Sequence, residues 1–157
     1  GPYLARAARL ALHGICRGEL AALSRTALVP GGVRVETQVT TVAGKAVRSD
    51  SLKRERRYRT VPLSADLLAE LRGVEGPFVP VNPHTVTTTM RKCLAGTAWE
   101  KIGPHDLRRS GAKWMLDAGA KLSDVAAILG NDPKTLLTWY DLADEGGKKR
   151  AVAAVDV

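Results

Sequence analysis

His105-Asp106-Leu107-Arg108-Arg109 is the stretch that decides how this chain is read. It sets a histidine and an arginine three residues apart, so at the start of a helix both project from one face, where the helix N-terminus adds partial positive charge. Such a face suits a phosphate. The planar fork of arginine holds two phosphate oxygens at once and stays protonated, while a neighbouring imidazole can move a proton near neutral pH. A plainer reading stands beside this one, in which His105 caps the helix and Arg108 is an ordinary surface residue. Further along, Leu129-Gly130-Asn131 and Thr138-Trp139-Tyr140 follow in order, and the late tyrosine carries a hydroxyl able to attack a phosphodiester.

Composition narrows the partners. The 157 residues, 45% apolar, suit one globular domain with a core of its own. Lys and Arg number 24 against 16 Asp and Glu, a net charge of +8, and Lys53, Arg54, Arg56, Arg57 and Arg59 fall within seven residues. This points to a polyanion partner; a merely solvated cationic surface is the alternative on charge alone. Cys16 and Cys93 are too few and too far apart for a disulfide framework or a CxxC metal site, which suggests free thiols and a reducing cytoplasmic compartment. No run of eighteen apolar residues and no secretory signal pattern is found, so neither a membrane partner nor export is expected.

Apolar residues recur at helical spacing through Tyr3, Leu4, Ala8 and Leu12, predicting a helix over about residues 3–25 interrupted near Gly14. Pro30-Gly31-Gly32 then turns the chain. Val33, Val35, Thr37, Val39 and Thr41 alternate, Ala43-Gly44-Lys45 turns again, and residues 58–63 resume a strand pattern after the basic segment, predicting a small antiparallel meander. Ser64 is a good N-cap for a helix over 65–72, and Pro77 breaks the pattern. Further helices are expected over about 83–98, 105–118, 121–129 and 133–142. Phe78, Trp99 and Trp114 are assigned to the core, because an aromatic content of 4% argues against base-stacking platforms for single strands. Residues 1–2 read as a protease scar, 3–143 as the domain, and 144–157 as a flexible tail hinged at Gly146-Gly147. The abrupt helical start suggests a domain cut from a longer protein.

Taken together, the motifs resemble those of the catalytic domain of tyrosine recombinases, the phage-integrase family, over about residues 3–143. That family has a first box reading Gly, apolar, Arg, any, any, Glu, Leu. A hairpin then carries a lysine shortly before an Arg-Thr-Val-Pro-Leu-like strand. A second box of His-x-Leu-Arg follows, with Arg or His after it, and a tyrosine stands nine residues past the His of Leu-Gly-His. Here His105 to Arg109 matches the second box, Arg59-Thr60-Val61-Pro62-Leu63 matches the strand, and Tyr140 stands nine past Asn131.

The resemblance implies an α+β fold, mostly α-helical with a small antiparallel three-stranded β-sheet. It also implies site-specific recombination or integration of double-stranded DNA, as in mobile elements, through a 3′-phosphotyrosyl intermediate and without metal or other cofactor. Tyr140 would be the nucleophile, Arg108 would neutralise charge on the nonbridging oxygens, His105 would assist proton transfer and Lys53 would protonate the leaving oxygen. For Lys53, phosphate contact without proton chemistry is the alternative; an ammonium can give up a proton where the adjacent Arg54 effectively cannot. Family members assemble as tetramers on DNA by exchanging a C-terminal segment, a role open to residues 151–155; without DNA a monomer is expected.

Two positions depart from the pattern. Aligning Gly14, Glu19 and Leu20 to the first box puts Cys16 where the family has its first arginine. Arg17 is the adjacent substitute, but successive helical residues point about 100° apart, so it needs a local shift or unwinding. Asn131 stands where the family has His or sometimes Trp, and its amide can donate to an oxygen without carrying charge. The two readings are therefore a recombinase whose activity these changes impair, and a degenerate recombinase fold that binds DNA or a recombinase partner without cutting. DNA contacts are expected from Lys53, Arg54, Arg56, Arg57, Arg59, Arg91, Lys92 and Arg109, largely to phosphates.

Overall fold

A computed structural model of the chain describes residues 1–49, 52 and 58–140. The first helix, α1 (Pro2–Leu12), has proline in its first turn and buries Ala7, Leu10 and Ala11 along one stripe. It stops where Gly14 takes φ +95°, a left-handed conformation that only glycine adopts without strain. Cys16 is extended and caps a separate short helix, α2 (Arg17–Leu20). The single interrupted helix expected over about 3–25 is thus two helices with a non-helical corner between them.

After a 3₁₀ turn (Arg25–Ala27), the chain enters β1 (Leu28–Val29) and β2 (Gly32–Val35). A hairpin follows, β3 (Gln38–Val42) and β4 (Lys45–Ser49), and the last strand is β5 (Arg59–Pro62). The three-stranded antiparallel sheet has the order β1-β2-β5, in register from Gly32 opposite Pro62 to Val35 opposite Arg59. Among the described residues β3 and β4 pair with each other and not with this sheet. Residues 33–41 therefore do not run as one strand of a meander. Alternation persists through Glu36 and Thr37 while the hydrogen-bond partner changes, and a period-2 pattern carries no information about partner.

Five further helices follow among the described residues: α3 (Ala65–Arg72), α4 (Pro83–Leu94), α5 (Pro104–Asp117), α6 (Leu122–Leu129) and α7 (Pro133–Tyr140), of which α4 and α5 are the longest. Ser64 stands at the N-cap of α3, as expected. Asn82 caps α4 by accepting from the Thr85 N–H at 2.8 Å, and that helix ends before Gly96 at φ +76°, short of the predicted 98. The fold is α+β, mostly helical with a small antiparallel sheet.

Two apolar clusters hold it together. The larger joins α1, β2, β5 and α3 through Leu10, Val33, Val61, Leu67 and Leu71, with Phe78 fully buried among them. The smaller joins α5, α6 and α7 through Ala112, Val125, Leu129 and Leu136, and Ile128 packs against both. Burial of each large side chain stabilises by roughly 1.5–3 kcal/mol. Trp99 and Trp114 belong to neither cluster. Each is 62% exposed, which corrects their assignment to the core: Trp114 sits on the face of α5 opposite the packed one, and Trp99 lies in the turn-rich segment after α4. Among the described residues no helix is long and apolar enough to cross a membrane.

Candidate active site

Arg108 is buried at the seam between the two clusters, 4% exposed. Its placement follows from a glycine one turn later. A Cβ on Gly111 would run into the carbonyl of Leu12, so only glycine lets α5 lie this close to the end of α1, and Arg108 on the same face then reaches the corner at Gly14. There Nη1 donates to the Gly14 carbonyl, while Nη2 donates to the Leu129 carbonyl at 2.6 Å and to Asn131 Oδ1 at 3.2 Å. The Leu129 carbonyl belongs to the last turn of α6, which lacks an intrahelical partner and sits at the negative end of the helix dipole; a guanidinium satisfies both needs. Gly130, at φ +65°, turns the chain so that Asn131 comes back beside it.

Arg59 mirrors this arrangement from the strand side. Its Nε donates to the Ile128 carbonyl at 2.6 Å and its Nη2 to the Gly14 carbonyl at 3.1 Å. The same guanidinium grips Glu19 with both prongs, Nη1 to Oε1 at 3.0 Å and Nη2 to Oε2 at 2.9 Å. With its side chain 6% exposed, Arg59 is an internal link and not one of the outward phosphate contacts its place in the basic run suggested. The run of charge hid it because strand alternation turns residue 59 inward.

Glu19 is fully buried and ties α2 to this centre. Its Oε2 accepts the Cys16 N–H at 2.8 Å, closing the start of α2, and lies 3.9 Å from Arg108 Nη1. Burial pulls the Glu19 pKa upward, but the bonds and charge of Arg59, with the Cys16 N–H and the Arg108 charge, outweigh it and hold the carboxyl below the usual range. The Cys16 thiol goes the other way. Burial, followed by the Glu19 charge, pushes it above the ordinary thiol value, so at neutral pH this position carries a neutral S–H.

Outside this buried centre opens a cleft of about 470 Å³ between the start of α2, one face of α4 and the start of α5. Cys16, Arg17, Thr87, Arg91, His105 and Arg108 line it. Gly103 caps α5 and Asp106 Oδ2 accepts the Gly103 N–H at 2.9 Å, so the residue between His105 and Leu107 serves the helix start. His105 is exposed at that N-terminus, where the dipole favours an anion. Arg17 heads α2, exposed, with Nη1 3.5 Å from Thr87 Oγ1, and the unwinding it needed to face the cleft is supplied by the non-helical corner at residues 14–16. Arg91, one turn beyond Thr87 on α4, shares the cleft. Helical spacing could have paired Thr87 with Arg91, but nothing local pairs either with Arg17.

Of the other expected site residues, Lys92 and Arg109 are exposed on α4 and α5. Lys53, Arg54, Arg56 and Arg57 lie outside the described residues, as do the side chain of Tyr140, which closes α7, and the whole of residues 141–157. At the edges of the basic segment Leu52 is buried in the larger cluster, and its N–H is accepted by the Tyr58 hydroxyl at 3.0 Å.

No known protein-family description and no curated protein matches the chain. Solved structures do. The Tn1549 transposon integrase in complex with circular intermediate DNA superposes with a TM-score of 0.73 at 14% identity, over 96% of this chain and 59% of that one. The same integrase in complex with transposon right end DNA gives 0.70 at 15% identity, over 96% and 58%. XerA recombinase gives 0.68 at 16% identity, over 99% and 57%. Over nearly its whole length the chain thus shares the fold of these recombinases. The chain spans a little under three fifths of the length of these recombinases.

Proposed function

We propose that the chain is the catalytic domain of a tyrosine recombinase that binds duplex DNA at the Arg17–Arg91–His105–Arg108 cleft and cleaves it through Tyr140. The observation carrying this reading is Arg108. Its guanidinium draws together the Gly14 corner, the end of α6 and Asn131, the segments in which the sequence motifs lie, at the floor of a cationic cleft. A phosphodiester gains negative charge on the way to its pentavalent transition state, so donors fixed in place before reaction lower the barrier. Arg108 would hold a nonbridging oxygen, His105 would manage a proton, and Tyr140 would expel the 5′ hydroxyl and keep the 3′ phosphate as an ester; Lys53 would protonate the leaving oxygen. Arg17 and Arg91 would supply the cation that Cys16 does not. On DNA such domains act as assemblies, with further recombinase subunits as partners.

The neutral thiol of Cys16 favours a second reading, in which the cleft binds DNA without cutting it. One experiment separates the two. The protein is incubated with nicked suicide duplexes of randomised sequence, and covalent adducts are resolved under denaturing conditions. The recombinase reading expects an adduct that Tyr140→Phe abolishes and Cys16→Arg, with or without Asn131→His, increases. Duplex binding with no adduct from either the parent or the restored variants supports the non-cutting reading and overturns the first.

A further inference from the structure

We infer that Arg59 is a positioning residue: by holding both oxygens of Glu19 it keeps that buried carboxylate from closing on Arg108, and so preserves the cationic floor of the cleft. The inference rests on the proposed reading of the cleft as a phosphate site. Glu19 Oε2 stands 3.9 Å from Arg108 Nη1, outside hydrogen-bond reach, while Arg59 occupies both oxygens at 2.9 and 3.0 Å. The Arg59 and Glu19 side chains are 6% and 1% exposed, so solvent screens the charges poorly and a small displacement changes their interaction strongly. Arg108 donates to the neutral oxygens of Gly14, Leu129 and Asn131, and its ion pair with Glu19 is long, at 3.9 Å, beside the close two-pronged pair that Glu19 makes with Arg59. Arg59 braces the same supports, through the Gly14 carbonyl and through Ile128, next to Leu129. Without Arg59, Arg108 is the cation left beside the buried Glu19 carboxylate. The guanidinium then turns toward the carboxylate and away from the cleft.

The test is binding of a short random-sequence duplex by the 157-residue protein, followed by fluorescence anisotropy over a range of salt concentrations. Arg108→Met is expected to weaken binding by about tenfold and to flatten the slope of log affinity against log salt by about 0.9. Arg59→Met is expected to reproduce that loss and to add little to it when combined with Arg108→Met. The variant Arg59→Met/Glu19→Gln, which removes the charge that would close on Arg108, and Arg59→Lys, which retains a counter-charge, are both expected to bind within about twofold of wild type. A purely structural role for Arg59 predicts no rescue by Glu19→Gln. The inference is overturned if Arg59→Met binds like wild type, or if a folded Arg59→Met/Glu19→Gln protein stays as weak as Arg108→Met. Should Arg59→Met itself not fold, Arg59→Lys and the double variant decide. Failure of the phosphate-site reading looks different: wild type does not bind, or Arg108→Met binds as well as wild type.

Discussion

Arg59 and Glu19 meet as a two-pronged ion pair inside the protein, Nη1 3.0 Å from Oε1 and Nη2 2.9 Å from Oε2, linking strand β5 to helix α2 across forty residues of sequence. Removing one member of a buried pair strands the other charge in a poorly solvated place, at a cost of about 3–5 kcal/mol. Arg59→Met is expected to lose that much in urea unfolding, and Arg59→Met/Glu19→Gln to recover most of it. If the double variant is no more stable than Arg59→Met, the pair is not the source of the loss.

The same pair sets an acid limit. Arg59 holds the folded-state pKa of Glu19 below its unfolded value, which is about 4.3 for a glutamate. The resulting stability is fully present above that unfolded value and is lost as pH falls through the folded pKa. Unfolding free energy measured from pH 7 down to pH 2 should therefore drop more steeply below about pH 4.3 in wild type than in Glu19→Gln. Parallel curves for the two proteins would show that Glu19 keeps an unshifted carboxyl.

Cys16 and Cys93 are both free thiols, one half-buried beside Glu19 and one exposed on α4. Only the thiolate alkylates, and a raised pKa together with burial leaves little of it at Cys16 near neutrality. Iodoacetamide at pH 7.5 is expected to label Cys93 at least about tenfold faster, as followed by peptide mass spectrometry. Equal rates at both sites would mean that Cys16 is open to solvent and less perturbed than its surroundings dictate.

Gly111 is where α5 crosses the end of α1, and the Leu12 carbonyl occupies the space a Cβ would need. Because this carbonyl is backbone, it cannot swing aside as a side chain would. Gly111→Ala should destabilise by about 1–3 kcal/mol or more despite the better helix propensity of alanine. It should also weaken duplex binding, since the shift lifts Arg108 from Gly14. Gly119→Ala makes a useful contrast: nothing lies within 4 Å of its Cβ, and its cost would come from φ +91° alone. If Gly111→Ala melts like wild type, the close approach does not limit the packing.

How much of this was legible in the sequence differs from residue to residue. Helices α3 and α6 and the start of α7 fall within a residue of their expected places, Ser64 and Pro133 marking two of the starts, and the hairpin turn at Ala43-Gly44 announced itself through the same kind of punctuation. The cleft could be anticipated from His105 and Arg108, since helical spacing places residues three apart on one face. Three features could not. The inward turn of Arg59 depends on which face of β5 is covered, and a basic run looks equally solvated whichever way it points. The approach of Arg91 to Arg17 joins α4 to α2 across more than seventy residues, which no local period encodes. The exposure of Trp99 and Trp114, neither of which packs on an apolar cluster, is a property of the assembled helices and not of the residue type.

Arg17 and Arg91 share the cleft with Arg108, yet both are exposed at its rim while Arg108 forms its buried floor. That difference fixes what each can contribute. An exposed arginine approaches a phosphate with its hydration largely intact and acts mainly through counterion release, whereas the buried one is held in place beforehand and gains from poor screening. Arg17→Ala and Arg91→Ala are each expected to flatten the salt dependence of duplex binding by about 0.9 in log–log slope, additively, with little effect on thermal stability. Arg34, exposed on β2 and bridged to Glu36 at 3.6 Å, is the control, because it does not line the cleft. Arg34→Ala should leave the slope unchanged. If all three substitutions flatten it equally, binding follows the overall charge of +8 and the cleft has no special claim on the DNA.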